Sequence, residues 1–214
     1  LKWDTDFFGF RIGQITSKYL NKHILDKINT FKDYQHDELI YFLAQTEDKE
    51  TTKFATNSGF YEVDRRMTYS LKESDFIPRR NLPKDLLIRV ASNKDSKDIN
   101  NLAYRTAWKT RYYKDLNFPK DKLKDFYRLW IKKSIEGNLD DLVIIARLKG
   151  EIAGFISLRF FGKNSSSIGL ITVNDTFKGM NLGSYLIDFA AKYVFSKGTK
   201  LIEVVTQDDN HPAK

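Results

Sequence analysis

Apolar positions along the chain follow two periods. Short runs rich in β-branched and aromatic residues, at 39–44, 63–71, 87–90, 142–147, 152–159, 168–173 and 201–205, predict strands. After Pro119, Leu123, Phe126, Tyr127, Trp130 and Ile131 recur at helical spacing and predict one apolar helix face. Leu182, Leu186, Phe189 and Tyr193 predict a second. Strands alternating with helix-length segments predict a mixed α/β (α+β) protein. The stretch 72–84 holds Pro78, Pro83 and a charge cluster without periodicity, which predicts a linker. The expected organisation is a smaller first half at 1–72, a linker at 73–84 and a larger domain at 85–214.

An internal similarity adds to this division. Leu39-Ile40-Tyr41-Phe42-Leu43-Ala44-Gln45, followed by Thr46-Glu47-Asp48, is similar to Leu201-Ile202-Glu203-Val204-Val205-Thr206-Gln207, followed by Asp208-Asp209-Asn210, at a constant offset of 162. Buried strands draw on few residue types, so these identities fit either a true repeat or coincidence.

Composition narrows the function classes. Hydrophobic residues at 41% and charged residues at 30% of 214 exclude a disordered tail protein. The formal charge of +8 suits an anionic partner such as a nucleotide, nucleic acid or acidic lipid, and equally a surface that is merely solvated. No cysteine is present, which excludes disulfides, thiolate metal sites and a cysteinyl thioester intermediate. His23, His36 and His211 lack the spacing of a helical zinc motif, so no metal is expected. No window approaches the ~18 consecutive apolar residues of a membrane span. The opening Leu1-Lys2-Trp3-Asp4 does not resemble a signal peptide, and a cytoplasmic protein is expected.

The most chemical segment is the predicted strand ending at Val173, followed by a loop with Lys178, Gly179, Asn181 and Gly183 and then by an amphipathic helix. Unpaired N–H groups at a helix start form an anion site, and Gly or Asn lets the backbone approach closely or take positive φ. The alternative is that these glycines only shape a tight turn. Spacing excludes both the P-loop and the Rossmann fingerprint.

Val173, followed by Lys178-Gly179-Met180-Asn181-Leu182-Gly183, resembles the acetyl-CoA loop [QR]-x-x-G-x-[GA] of the GNAT acetyltransferases, with Lys178 in place of Arg or Gln and Asn181 in place of the middle Gly. Asn210-His211-Pro212-Ala213 resembles the family's later N-x-x-A segment. Trp3-Asp4-Thr5-Asp6-Phe7-Phe8-Gly9 and Arg111-Tyr112-Tyr113-Lys114-Asp115-Leu116-Asn117-Phe118-Pro119 resemble the branch that acetylates dTDP-4-amino-4,6-dideoxy sugars such as dTDP-fucosamine.

That resemblance implies a GNAT fold with a mostly antiparallel central sheet, preceded by a degenerate GNAT-like half-domain. It also implies direct transfer from acetyl-CoA to a sugar-nucleotide amine in a ternary complex. Ile171, Val173, Lys178, Gly179, Met180, Asn181, Leu182, Gly183, Ser184 and Asn210 would hold the coenzyme, and Arg111, Tyr112 and Tyr113 the acceptor. Glu203, a carboxylate in mid-strand, is the candidate base, against the plainer reading of a solvated side chain. The family pattern counted from Asn210 puts a tyrosine general acid at position 217 and a Gly-Phe pair at 221 and 222, the offset partners of Gly59 and Phe60. The 214 residues are therefore expected to be an incomplete record of the chain, and Ala55, offset partner of that tyrosine, to leave the first half silent.

A GNAT enzyme acting on another small amine or a peptide is the nearer alternative. A nucleic-acid-binding module is the farther one, since the lysines are scattered among acids and no RNP-type strand or zinc finger is present. No nucleic-acid partner and no membrane span are expected, and a homodimer is compatible with the reading.

Overall fold

The computed structural model describes residues 1–36, 38–78 and 82–213, so the expected linker lies in part, at 79–81, outside the described residues. The chain forms two compact units, Leu1–Val63 and Asp64–Lys214.

The first unit runs α1 (Lys2–Phe8), β1 (Ile12–Ile15), α2 (Lys22–Gln35), β2 (Leu39–Phe42) and α3 (Lys49–Asn57). β1 and β2 pair in parallel over four rungs, from Ile12↔Leu39 to Ile15↔Phe42. Ile15, Leu20 and Ala55 are buried, with Ile24, Ile28, Ile40 and Phe42 packed against them. Two polar side chains start the helices: Asn21 Oδ1 accepts the N–H of Ile24 at 3.0 Å, and Asp48 Oδ1 that of Thr51 at 2.9 Å.

The second unit contains β3 (Arg66–Lys72), β4 (Leu86–Val90), α4 (Ser96–Ala103), α5 (Arg111–Lys114), α6 (Leu123–Ile135), β5 (Leu142–Leu148), β6 (Glu151–Phe161), β7 (Ser165–Val173), α7 (Leu182–Ser196) and β8 (Leu201–Gln207). Its six strands form one sheet in the order β3-β8-β7-β6-β5-β4. Every neighbouring pair is antiparallel except β7 and β8. Leu182, Leu186, Ala190, Ala191 and Val194 of α7 pack on Ile144, Ile156, Leu158, Ile168 and Ile202 of the sheet. Removing this apolar area from water, at roughly 25 cal/mol per Å², is the main favourable contribution to the unit's stability. Among the described residues no helix is long and apolar enough to cross a membrane.

The strand expected at 63–71 forms, as β3, but it belongs to the second unit. Seven antiparallel rungs, from Arg66↔Gln207 to Lys72↔Leu201, bind it to β8, so the division falls after Val63 and not at 73–84. The two parallel ladders share connectivity. In each, a strand leads through a helix to a parallel strand over four rungs, and the second strands begin at Leu39 and Leu201, the offset residues.

Candidate active site

The β7–β8 ladder runs only from Ser165↔Leu201 to Ile168↔Val204, although β7 continues to Val173 and β8 to Gln207. Beyond those rungs β8 stays with β3, through Val205↔Thr68 and Gln207↔Arg66, and β7 stays with β6, through Ile171↔Ile156 and Val173↔Gly154. A wedge therefore opens at the C-terminal ends of two parallel strands, the end at which open α/β sheets bind ligands. Asn174 donates its N–H to Ala153 O at 2.8 Å, so alternation assigns Thr172 to β6 as well. Ile171 and Val173, predicted as coenzyme contacts, consequently turn their main-chain N–H and C=O groups into the wedge.

β7 carries a bulge there. Ile156 pairs with Ile171 but Leu158 pairs with Ile168, leaving one extra residue around Gly169 and Leu170. The bulge reverses the alternation of β7: Ile168 before it and Ile171 and Val173 after it all face the α7 core.

From Val173 the chain passes through a 3-10 turn, Asp175–Phe177, to the start of α7. Gly179 (φ +81°) and Asn181 (φ +59°) both take left-handed backbone, so Asn181 adopts here the conformation for which glycine is the usual residue. Asn181 makes no side-chain cap, in contrast to Asn21 at the start of α2. The N–H groups of Leu182, Gly183 and Ser184 thus head a 15-residue helix at the positive end of its dipole. A Cβ at Gly183 would meet only Val173 Cγ2, at 4.0 Å, and no positive φ requires glycine there. Among the described residues none crowds that position, so the fold does not require glycine there, and its bare main chain is open to close approach. Lys178 is exposed and pairs with Asp175 at 2.6 Å; Met180 is also exposed.

The opposite face of the sheet carries the acceptor candidates. In the 3-10 turn Tyr104–Lys109, the Thr106 hydroxyl lies 2.5 Å from that of Thr172, and Arg105 pairs with Asp175. At the other end of this stretch, Lys114 Nζ bonds Asp64 at 2.6 Å and Asp209 at 3.1 Å. Residues 104–114 are therefore fastened at one end to the tip of β7 and at the other to the start of β3 and the end of β8, across the wedge.

Arg111 lies over the Tyr112 ring at 4.6 Å and donates to its hydroxyl at 2.7 Å. Tyr112 is buried against Phe118 and Phe126, so its ring is occupied by packing. Tyr113 is more open and sits beside the exposed Trp108, ring centroids 5.0 Å apart. Arg66 is exposed as a residue, yet partial desolvation of its guanidinium by the surrounding protein, and then the like charge of Arg111, hold it below its ordinary pKa. The acid nearest Arg66 in sequence, Asp64, is already bonded to Lys114. Arg66 and Trp108 were not expected from the sequence; the nearest signals were the Arg65-Arg66 doublet and the short spacing from Trp108 to Arg111.

Glu203 is half-buried and lies in register with Ser70 and Ser167, one rung before the strands part. It points to the face opposite Ile202 and Val204, which join the α7 core. Asn210 donates its side-chain amide to Thr206 Oγ1 at 3.0 Å and its main-chain N–H to Gln207 O at 3.0 Å, closing the turn after β8.

Comparison with known proteins agrees with this geometry. The model of the acetyltransferase (GNAT) family matches residues 102–214. A dTDP-fucosamine acetyltransferase of Escherichia coli O6:H1 (strain CFT073) is 26% identical over 163 residues, covering 74% of this chain and 69% of that protein. A crystal structure of a functionally unknown conserved protein from Staphylococcus epidermidis has a TM-score of 0.65 at 14% identity, over 92% of this chain and 74% of the other. A GCN5-related N-acetyltransferase from Sphaerobacter thermophilus has a TM-score of 0.63 at 12% identity, over 87% of this chain and 58% of the other.

Proposed function

The chain belongs to the GNAT family of acetyltransferases, and we propose that it moves the acetyl group of acetyl-CoA onto the amine of a nucleotide-linked amino sugar. The observation that carries the donor is the start of α7: uncapped N–H groups beside a glycine that the fold itself does not require. Those groups suit a pyrophosphate, and the main chain of Ile171 and Val173 suits the amide-bearing arm that leads to the thioester.

In the transfer, the amine nitrogen attacks the thioester carbonyl, the carbon–sulfur bond breaks, one amine proton is lost and the sulfur leaves to become the CoA thiol. N–H groups in the wedge would stabilise the oxyanion of the tetrahedral intermediate. Glu203, on the acceptor face next to the point where the strands part, is the candidate proton acceptor, directly or through water. With no cysteine in the sequence, a direct attack in a ternary complex is the economical route.

The acceptor reading draws on the resemblance to a sugar-nucleotide enzyme and on residues 104–114. Arg66 and Arg111 together favour a diphosphate, and the Trp108–Tyr113 pair offers a face for a base. In the first unit, which we read as a GNAT-like half-domain, Asn21 already satisfies the Ile24 N–H at the corresponding helix start, which favours the second unit as the coenzyme site.

An acceptor screen that follows CoA release tests the reading. dTDP-linked 4-amino sugars should exceed simple amines and peptides in kcat/KM by at least about tenfold, since one charge-assisted contact contributes about 1.5–3 kcal/mol. Equal turnover of all three classes would overturn the acceptor assignment.

A further inference from the structure

Behind the β7 bulge lies a buried polar cluster that neither the transfer chemistry nor the family motif uses. Asp140 is 1% exposed, with Ser134 at 2% and Ser157 at 0%. Asp140 Oδ2 accepts from Ser157 Oγ at 2.7 Å, Ser134 Oγ at 2.8 Å and Trp130 Nε1 at 3.0 Å, while Oδ1 accepts from Arg159 Nη2 at 3.0 Å. Withdrawing a carboxylate from water is costly, and four donors offset that cost only when all are in place. The cluster thus holds one arrangement.

Its contact with β7 is specific to the bulge. Ser157 Oγ, while donating to Asp140, accepts the N–H of Leu170 at 2.9 Å, the main-chain donor beside the extra residue. A Cβ on Gly169 would fall 2.7 and 2.9 Å from the two Asp140 oxygens and 2.8 Å from Ser157 Oγ. The carboxylate therefore presses against the bulge at Gly169 and, through Ser157, holds it at Leu170. Beyond this point Ile171 and Val173 turn into the wedge.

We propose that Asp140 and Ser157 are positioning residues: they clamp the Gly169–Leu170 bulge and thereby set the direction in which the Ile171 and Val173 main-chain groups meet the acetyl donor. This rests on the acetyl-CoA reading for the ligand, whereas the clamp itself is a property of the free protein. Asp140 acts only through Ser157 and the backbone.

The test compares Ser157→Ala, on β6, with Ser166→Ala, a buried serine of β7 that lies before the bulge and donates to Leu201 O. Amide hydrogen exchange followed by NMR on the free protein, and calorimetric titration with CoA, are the two readouts. Ser157→Ala should expose the Leu170 amide, which Ser157 holds, and the Thr172 amide, which β6 holds, to exchange about tenfold faster and weaken CoA about five- to twentyfold. Ser166→Ala should leave both within about twofold. Should Ser157→Ala fail to fold, Gly169→Ala displaces the bulge from the other side and should give the same losses. Unchanged exchange and CoA affinity in a folded Ser157→Ala protein would overturn the clamp, as would equal losses in the two serine variants. A wild-type protein that does not bind CoA refutes the donor reading instead, and the exchange result still decides the clamp.

Discussion

Replacing Gly183 separates what α7 needs from what its ligand needs. In the first turn of the helix, glycine carries an entropic penalty, so Gly183→Ala should stabilise the second unit by about 0.5–1 kcal/mol and raise Tm by roughly 1–4 °C. The structure allows it: the new Cβ would stand 4.0 Å from Val173 Cγ2, an ordinary van der Waals contact. The same methyl stands beside the uncapped N–H groups of Leu182, Gly183 and Ser184. Losing one charge-assisted hydrogen bond there, at about 1.5–3 kcal/mol, weakens CoA by about 10- to 150-fold, and the bulkier Gly183→Val should lose at least as much.

Calorimetric titration with CoA measures the affinity and a thermal melt measures the fold. Gly179→Ala is the contrast, because its φ of +81° penalises any side chain by about 1–2 kcal/mol and it should lose stability and affinity together. A folded Gly183→Val protein that binds CoA with wild-type affinity would show that this helix start is not the pyrophosphate site.

Arg66→Ala and Arg111→Ala should each raise KM for a diphosphate-linked acceptor about tenfold and leave KM for acetyl-CoA within about twofold; equal effects on the two substrates would remove both arginines from the acceptor site. Glu203→Gln should lower kcat by about 100-fold or more while leaving KM for both substrates within about threefold, and an unchanged kcat would exclude it as the base. Asp95 accepts both Arg89 Nη atoms at 2.8 Å, and that guanidinium, with burial opposing and Ser92 and Arg147 assisting, holds its carboxyl far below the usual carboxylate range. Its unfolded form binds a proton first as pH falls. The stabilisation is therefore complete above the ordinary carboxylate pKa of about 4 and declines below it. Asp95→Asn should lose about 1–3 kcal/mol at pH 7, and the gap to wild type should narrow in melts below pH ~4; a gap constant with pH would refute the sign.

The strands of the second unit were legible because buried β-branched runs announce themselves locally, and each expected run from 87–90 to 201–205 forms with only its ends adjusted. β1 was not, because Ile12-Gly13-Gln14-Ile15 offers two apolar residues and a glycine, and parallel pairing with β2 supplies the rest. The ownership of β3 was equally hidden. Its sequence states that it is a strand, but not that its ladder partner, β8, lies some 130 residues further along the chain.

The site divides along the same physical line. Lys178 to Ser184 stood out as a candidate because a strand, a glycine-bearing loop and an amphipathic helix follow one another in sequence, and the anion binding proposed there would be a local property of backbone. The bulge could not be read, since an extra residue in β7 exists only relative to the register of β6. Asn21 and Asn181 carry the point furthest. Both stand immediately before a helix that follows the first strand of a parallel pair, and both are asparagine. Asn21 turns its side chain onto the helix start, whereas Asn181 takes left-handed backbone and makes no such cap. One residue type thus caps a helix start in the first unit and leaves that of α7 uncapped in the second, where its backbone is left-handed, a choice of conformation that the letter in the sequence does not carry.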